Sequence, residues 1–411
     1  MSDISASLTT LSNMFKIQYG KRSYAVFNTA TPLFSKIKKE HGAFKGKSLT
    51  LEAILGFSGS VGSGSLPETN VFNDQNASLT RKKTYARILL DREAMIASKG
   101  EAAAFEQATK RMVKKGVESF MRNLSRQLFA YENGKVFEGD GATVVTGNGA
   151  SGTPYVVRAL ASTFVRGFVE KKDKVNVAAE TTILEITDVN YSTGDVSLVG
   201  TSATLAAVSS TGGSSSATSA KVYMQGSKDN DLQSILGAVK QTTSTLYGIT
   251  VADRWISSQT DAASAGITTD LINALVTDVE FKSGESPDLL VTSFKHYRKV
   301  QDLLGDKVRY TSVQNSNPAF RKAEFNMQGI EWVTNSGPIP LVPDRMCPDD
   351  HLFALNSDNI TLYTAEAPKW ADEDGTVLLR SSTADAYEAR YVMYGELFVH
   401  PAAQGVLYNL A

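Results

Sequence analysis

"GKSLTLEAILGFSGSVGSGSLPETN", residues 46–70, begins as a strand and ends as something else. Leu49, Leu51, Ala53 and Leu55 alternate with Thr50, Glu52 and Ile54, the period of a half-buried strand. Residues 57–70 then hold three glycines, four serines and one proline, with no Lys or Arg. Such a run cannot form a core of its own. "KTYARILLDREAM" (83–95) is again strand-like, so the sequence predicts a long hairpin over 46–92 with 83–95 as its return strand. Two strands are sent out to a tip that cannot bury itself. Either the tip is a plain surface loop, or its partner lies on another molecule.

Working outward, residues 100–132 give the clearest helix. Phe105, Ala108, Met112, Gly116, Phe120, Leu124, Leu128 and Tyr131 follow three- and four-residue steps. At 1.5 Å per residue such a helix is ~50 Å long, the length of a backbone element. Lys110, Arg111, Lys114, Lys115, Arg122 and Arg126 occupy its other faces. Gly116 inside it costs about 1 kcal/mol, which implies close packing there. Residues 1–45 read as an arm with a short amphipathic stretch, "TPLFSKIKKEHG" (31–42). Residues 136–155 read as a glycine-punctuated connector. Residues 156–226, rich in Val, Thr, Ser, Ala and Gly, read as a small β module. Residues 236–372 alternate strand and helix, and 385–410 form a long strand with a short tail.

The totals narrow the function. With 411 residues, 42% hydrophobic and 21% charged, the chain is globular and large enough for several cores. The single cysteine, Cys347, excludes an intrachain disulfide and fits a reducing compartment. The first residues show no signal peptide, and no apolar run approaches the ~20 residues of a membrane span. The net charge of −1 hides an asymmetry. Residues 16–47 carry eight basic groups and one acid, and residues 81–126 twelve basic and five acidic; residues 344–396 carry eleven acids and four bases. These runs are either solvated surface or patches that meet a polyanion or a neighbouring copy.

Tests for chemistry come out negative. "KGKS" (45–48) lacks the glycine of a phosphate loop at His41, and a strand follows it where a helix should. His41, His296, His351 and His400 show no metal-ligand spacing. "GSVGSGS" lies in the soft tip, whereas a nucleophilic serine needs a rigid turn. "DEDG" (372–375) lacks the ligand series of a calcium loop and reads as a solvated turn. Acids around Cys347 in "DRMCPDD" oppose a reactive thiolate. Phe15, Tyr19, Tyr24 and Phe27 in the basic arm could stack on bases, but packing is their more common use. No catalytic, cofactor or metal residues are assigned, no cofactor is expected, and the chain is expected not to be an enzyme.

The order of arm, soft-tipped hairpin, long helix, β module, α/β unit and returning strand resembles the major capsid proteins of tailed bacteriophages, the α+β Hong Kong 97-like fold. "GKSLTLEAILGFSGSVGSGSLPETN" resembles the family's E-loop and "EAAAFEQATKRMVKKGVESFMRNLSRQLFAYENG" its spine helix. "SPDLLVTSFKHYRKVQDLL" and the strands after "FNMQGIEWVTNSG" resemble its axial domain, and "YGELFVHPAAQGVLYNL" the return. The resemblance implies an N-terminal arm (1–45), an E-loop hairpin (46–92) and a peripheral domain (93–235) with the spine helix (100–132) and a β-rich insertion (156–226). An axial domain (236–372) and a return strand to the peripheral domain (373–411) follow.

It further implies self-assembly into hexamers and pentamers of an icosahedral phage head around double-stranded DNA. The implied partners are a scaffolding protein, a portal protein, a decoration protein and packaged DNA held by non-specific contact; no membrane is involved. The implied location is the virion, assembled in the host bacterial cytoplasm. Phe57, Leu66 and Pro67 become E-loop contacts on a neighbouring subunit. Lys110, Lys114, Lys115, Arg122 and Arg126 become charges that face DNA or pair with a neighbour. The alternatives are an encapsulin-type compartment shell and, further off, a β-rich enzyme or binding module.

Some members of the family cross-link an E-loop lysine to an asparagine of a neighbour. Here no lysine occurs from Ser48 to Thr80. We therefore expect shells boiled in detergent to release a 44.3 kDa monomer. A ladder of heavier bands on a reducing gel would contradict this.

Overall fold

The long C-terminal strand Ala386–Val399 is the element to which most of the others attach. Its sequence, "AYEARYVMYGELFV", is apolar almost throughout, and most of it is buried, so it shows no strand alternation. In the computed structural model the structure is described for residues 32–56, 74–91, 102–131, 134–146, 154–177, 183–200, 221–241, 243–252, 254–305, 330–334, 337–372, 377, 379–380 and 385–411. One edge of the long strand pairs antiparallel with Lys82–Asp91, from Gly395↔Lys82 to Ala386↔Asp91. The other edge takes Ile360–Thr364 and the short strands Lys369–Trp370 and Leu379–Arg380. Lys38–His41, from the end of the arm, adds in parallel beside Ile360–Thr364.

The helix Ala102–Phe129 lies across one face of this first sheet. Val113, Val117, Phe120, Met121, Leu124 and Leu128 form its buried stripe. Phe120 meets Tyr391 of the long strand edge to face, with centroids 4.9 Å apart. At Gly116 a Cβ would run into the side chain of Ile88, which accounts for a glycine in mid-helix.

The hairpin differs from the sequence expectation in its return strand. Ser48–Ile54 pairs with Asp74–Thr80, from Ser48↔Thr80 to Ile54↔Asp74, and the expected return strand belongs instead to the first sheet. In "DQNASLT" only Ala77 and Leu79 are buried, so the apolar signal is faint. The stronger run that follows is apolar because the helix covers it. At the base of the hairpin, Ser78 N–H donates to the Tyr247 carbonyl (2.8 Å) and Arg81 N–H to the Lys47 carbonyl (3.0 Å). The tip, with Phe57, Leu66 and Pro67, lies outside the described residues.

The β module is a closed barrel, in the order Lys221–Met224, Lys135–Thr146, Tyr155–Ala159, Asp195–Val199, Leu184–Asn190, Lys174–Val177. Phe137, Leu184, Ile186, Val196, Leu198 and Val222 are buried in it. It begins earlier than the expected 156, because "KVFEGDGATVVT" is a strand rather than a connector. The ladder to Tyr155–Ala159 shifts register between Gly139 and Val144, so the glycines mark an irregularity within a strand.

The second sheet runs Ser258–Asp261, Gly405–Tyr408, Leu352–Leu355, Leu289–Thr292, Gly337–Pro343, Ile330–Thr334. The helix Thr269–Ser283 covers it, capped by the Thr268 side chain at one end and by Gly284 in the left-handed region (φ 74°) at the other. The return segment therefore divides. Ala386–Val399 stays in the first sheet, while Gly405–Tyr408 crosses to the second. The crossings at Asn356 and Gln404 are tied together: Asn356 N–H donates to Gln404 Oε1 (2.9 Å), and Gln404 Nε2 donates to the Asn356 carbonyl (3.2 Å).

Two tests follow from the long strand. A Cβ at Gly395 would strike the Tyr363 carbonyl oxygen of the neighbouring strand, and backbone there cannot yield. We expect Gly395→Ala to cost about 2 kcal/mol or more. Gly116→Ala should cost less, since Ile88 can turn aside and the helix gains propensity; urea midpoints of the two variants rank them.

Glu396, 4% exposed, accepts from the Gln233 N–H (2.6 Å) and the Leu397 N–H (3.0 Å), yet burial pushes its carboxyl up to about 7. An unperturbed glutamate releases its proton near 4.5. Between those values the folded chain holds a proton that the unfolded chain has released, so this residue lowers stability as pH rises through the window. Glu396→Gln keeps the carbonyl acceptor without the charge. Its stability relative to the parent should improve from pH 5 to pH 8; an equal difference at both would contradict the assignment.

Candidate functional site

The spine helix Ala102–Phe129 carries the basic residues that the sequence marked as DNA-facing or subunit-pairing, and it distributes them unequally. Lys114 and Lys115 are exposed, and Lys114 reaches Glu118 one turn on at 3.8 Å, a weak surface pair. Lys110 is in the helix, but its side chain lies outside the described residues. Arg122 and Arg126 instead turn inward and anchor the barrel. Arg122 forks onto Asp173, with Nη1–Oδ1 at 3.2 Å and Nη2–Oδ2 at 2.8 Å, and also donates to the Phe168 carbonyl. Arg126, 2% exposed, donates from Nη2 to Asp231 Oδ2 (2.8 Å), Ser227 Oγ (3.0 Å) and Asn123 Oδ1 (2.9 Å). Asp173 immediately precedes one barrel strand and Asp231 follows another, so these two ion pairs fix the barrel to the helix.

The sequence missed these partners because they sit 51 and 105 residues away. The same holds for Glu388, 3% exposed, which accepts from Arg87 at 2.6 Å and from Arg390. A spine arginine at a helical step that also carries the buried stripe is the one available signal: Arg126 sits between Leu124 and Leu128.

The other candidate groups remain scattered. His41 Nδ1 meets Thr364 Oγ1 (2.7 Å), His351 Nδ1 meets Asp350 Oδ1 (2.5 Å), and His400 stands edge-on to Trp255. His296 is fully buried, and burial, with Lys295 and Lys299 nearby, pulls its pKa down to about 4. Cys347 is buried too. Burial first, then the Asp344, Asp349 and Asp350 carboxylates, push its thiol well above its ordinary value, which leaves it protonated and unreactive. Residues 45–47 bend into the strand Ser48–Ile54, the geometry of a turn and not of a phosphate loop. Among the described residues no group of three or more His, Cys, Asp or Glu side chains could hold a metal, and no helix is long and apolar enough to cross a membrane.

What the surface does offer is large apolar side chains in the open. Phe281 is 89% exposed and Val333 79%. Ile54 at the end of the hairpin ladder, and Tyr85 and Leu89 on the first sheet, are about half exposed. They are spread over different elements, and side chains scattered in this way do not by themselves mark a contact surface.

Residues 194–397 match the family model described as SU10 major capsid protein. No curated protein matches the sequence. Among solved structures, the chain is similar to the cyanophage A-1(L) capsid asymmetric unit, at 12% identity over 93% of this chain and 93% of that one, with a TM-score of 0.53. It also aligns with the capsid of Myoviridae phage XM1 (9% identity, 92% and 90% covered, TM-score 0.44). A third alignment is with the holo-SrpI encapsulin complex from Synechococcus elongatus PCC 7942 (7% identity, 93% and 89% covered, TM-score 0.41). With its spine helix, its hairpin and its two sheets joined by the returning strand, the chain belongs to the major capsid proteins of tailed bacteriophages, structural shell subunits of the Hong Kong 97-like fold rather than enzymes.

Proposed function

We propose that this capsid subunit assembles into hexamers and pentamers of an icosahedral head that encloses double-stranded DNA, built in the cytoplasm of a bacterial host. The family match over 194–397 carries this reading. In it the first sheet with the spine helix is the peripheral unit, the barrel its insertion and the second sheet the axial unit. A scaffolding protein guides assembly, a portal protein occupies one vertex, and a decoration protein binds outside. The hairpin reaches over a neighbouring subunit, with Phe57, Leu66 and Pro67 as its contacts. The ladder from Ser48↔Thr80 to Ile54↔Asp74 supports that role, because it gives the tip a paired base that is itself anchored on the core through Ala53 and Ala77.

Lys110, Lys114 and Lys115 remain the helix charges available to DNA or to a neighbour. Contact with DNA here is weak, salt-sensitive and without base specificity, since packaged DNA has to slide. Arg122 and Arg126 leave this set because their charges are engaged within the chain.

Deleting residues 58–65 tests the hairpin. We expect a folded subunit, with unchanged circular dichroism, that fails to close shells under negative-stain microscopy. Normal particles from the deletion variant would refute the contact.

A further inference from the structure

Tyr247 ties the base of the hairpin to the long strand. Its carbonyl accepts the Ser78 N–H (2.8 Å). Its hydroxyl donates to the Leu397 carbonyl (2.8 Å) and accepts the Val399 N–H (3.1 Å). The ladder with Lys82–Asp91 stops at Gly395↔Lys82, so the phenol caps the long strand just past that end. Tyr247 and Gly248 form the two-residue turn between Leu246 and Ile249, both with left-handed backbone (φ 54° and 85°). Glycine takes that conformation freely, whereas a tyrosine takes it only where its surroundings compel it.

Beside this turn Glu396 lines a cavity of ≈ 270 Å³. Its Oε1 accepts from both Gln233 N–H and Leu397 N–H, so one carboxyl joins the segment that follows the barrel to the long strand. Every element around it brings a titratable group. Lys82 comes from the first sheet, Asp229 and Asp231 from the segment after the barrel, Tyr131 from just past the spine helix and Tyr247 from the turn. Tyr363 stands opposite in the neighbouring strand. Burial pushes all three phenols above their ordinary range, so they stay neutral. Among the described residues Lys82 is the one cation that lines the cavity, and its Nζ reaches the Asp229 carbonyl. Asp231 is held by Arg126, and its charge opposes a second anion nearby. Burial of Glu396 outweighs the two N–H groups and Lys82, so the carboxyl keeps its proton to about pH 7.

We propose that Glu396 and the Tyr247–Gly248 turn form a proton-controlled latch, which pins the base of the hairpin to the long strand while the carboxyl is neutral and loosens it when the proton leaves. An ionised carboxylate beside Asp231, with one shared cation, needs water. The turn is the element that gives way. It closes a ladder of two residue pairs, Thr245↔Thr250 and Leu246↔Ile249, and its tyrosine is held in a conformation it disfavours. When it yields, Ser78 loses its acceptor. Ala53 and Ala77 remain on the core, so the hairpin is loosened and not released. The use of the latch in a shell rests on the hairpin reaching a neighbour; the latch itself belongs to the single chain.

Hydrogen exchange of the unassembled full chain, corrected for the intrinsic effect of pH, tests it. We expect Asp74–Thr80 to open more often than the core strand Leu289–Thr292 at both pH 5.5 and pH 8, and its opening to rise about tenfold between them. Glu396→Gln should abolish the rise. Tyr247→Phe should abolish it in Asp74–Thr80 while Gln233 N–H still responds. No rise in the parent, or opening of Asp74–Thr80 only together with Leu289–Thr292, overturns the proposal, and the parent alone decides this if a variant fails to fold. A rise that survives Glu396→Gln, or a full response of Asp74–Thr80 in Tyr247→Phe, overturns it as well. If the exchange behaves as expected and no particles form, the shell reading fails and the latch stands; unresponsive exchange in a subunit that forms shells removes the latch alone.

Discussion

The burial of Ala386–Val399 between its neighbours is the constraint on which the rest depends. Ten residues of Lys82–Asp91 have their only described ladder with it, the helix packs on it through Phe120 and Tyr391, and the arm reaches the sheet through Ile360–Thr364 beside it. These partners lie about three hundred residues apart along the chain; Arg87 and Glu388 are separated by 301. Closing loops of that length before any reward arrives makes folding slow. The first sheet cannot form until nearly all of the chain is available. Exposed strand edges in the interval are a hazard that such a topology has to survive.

Charge follows the same logic. The basic and acidic stretches look like opposed surfaces when read along the chain. In the fold several of them cancel, as Arg87 meets Glu388 and Lys38 meets Asp358. Arg122 and Arg126 spend their charge on the barrel. On the described part of the spine helix, Lys114 and Lys115 are what is left outward, a smaller set than the sequence offers.

How much was legible depended on whether a signal was local. The spine helix showed itself because its stripe repeats every three or four residues, and Gly116 announced a close contact that Ile88 supplies. The outgoing strand of the hairpin was visible from Leu49 to Ile54, but its partner was not, because "DQNASLT" buries only two side chains. The first barrel strand was hidden by glycines that serve a register shift. Of the candidate contacts, Lys114 and Lys115 were readable as exposed from their helical positions. Arg122 and Arg126 were not, because an ion pair to a residue 51 or 105 positions away leaves no periodic trace.

The double crossing between the sheets has a mechanical consequence. The chain leaves the second sheet after Leu355 and re-enters it at Gly405, and both passages are locked to each other through Asn356 and Gln404. Glu285, just beyond the end of the helix that covers the second sheet, clamps Asn356 (3.0 Å) and Asn359 (2.7 Å) as well. Leu289, Val291, Phe353 and Leu355 of the second sheet share one buried core with Leu362, Leu397 and Val399 of the first, so the two pinned passages reinforce a joint that is already packed. A subunit built this way transmits load from one half to the other as a stiff plate, and differences in curvature from place to place must be absorbed at its margins.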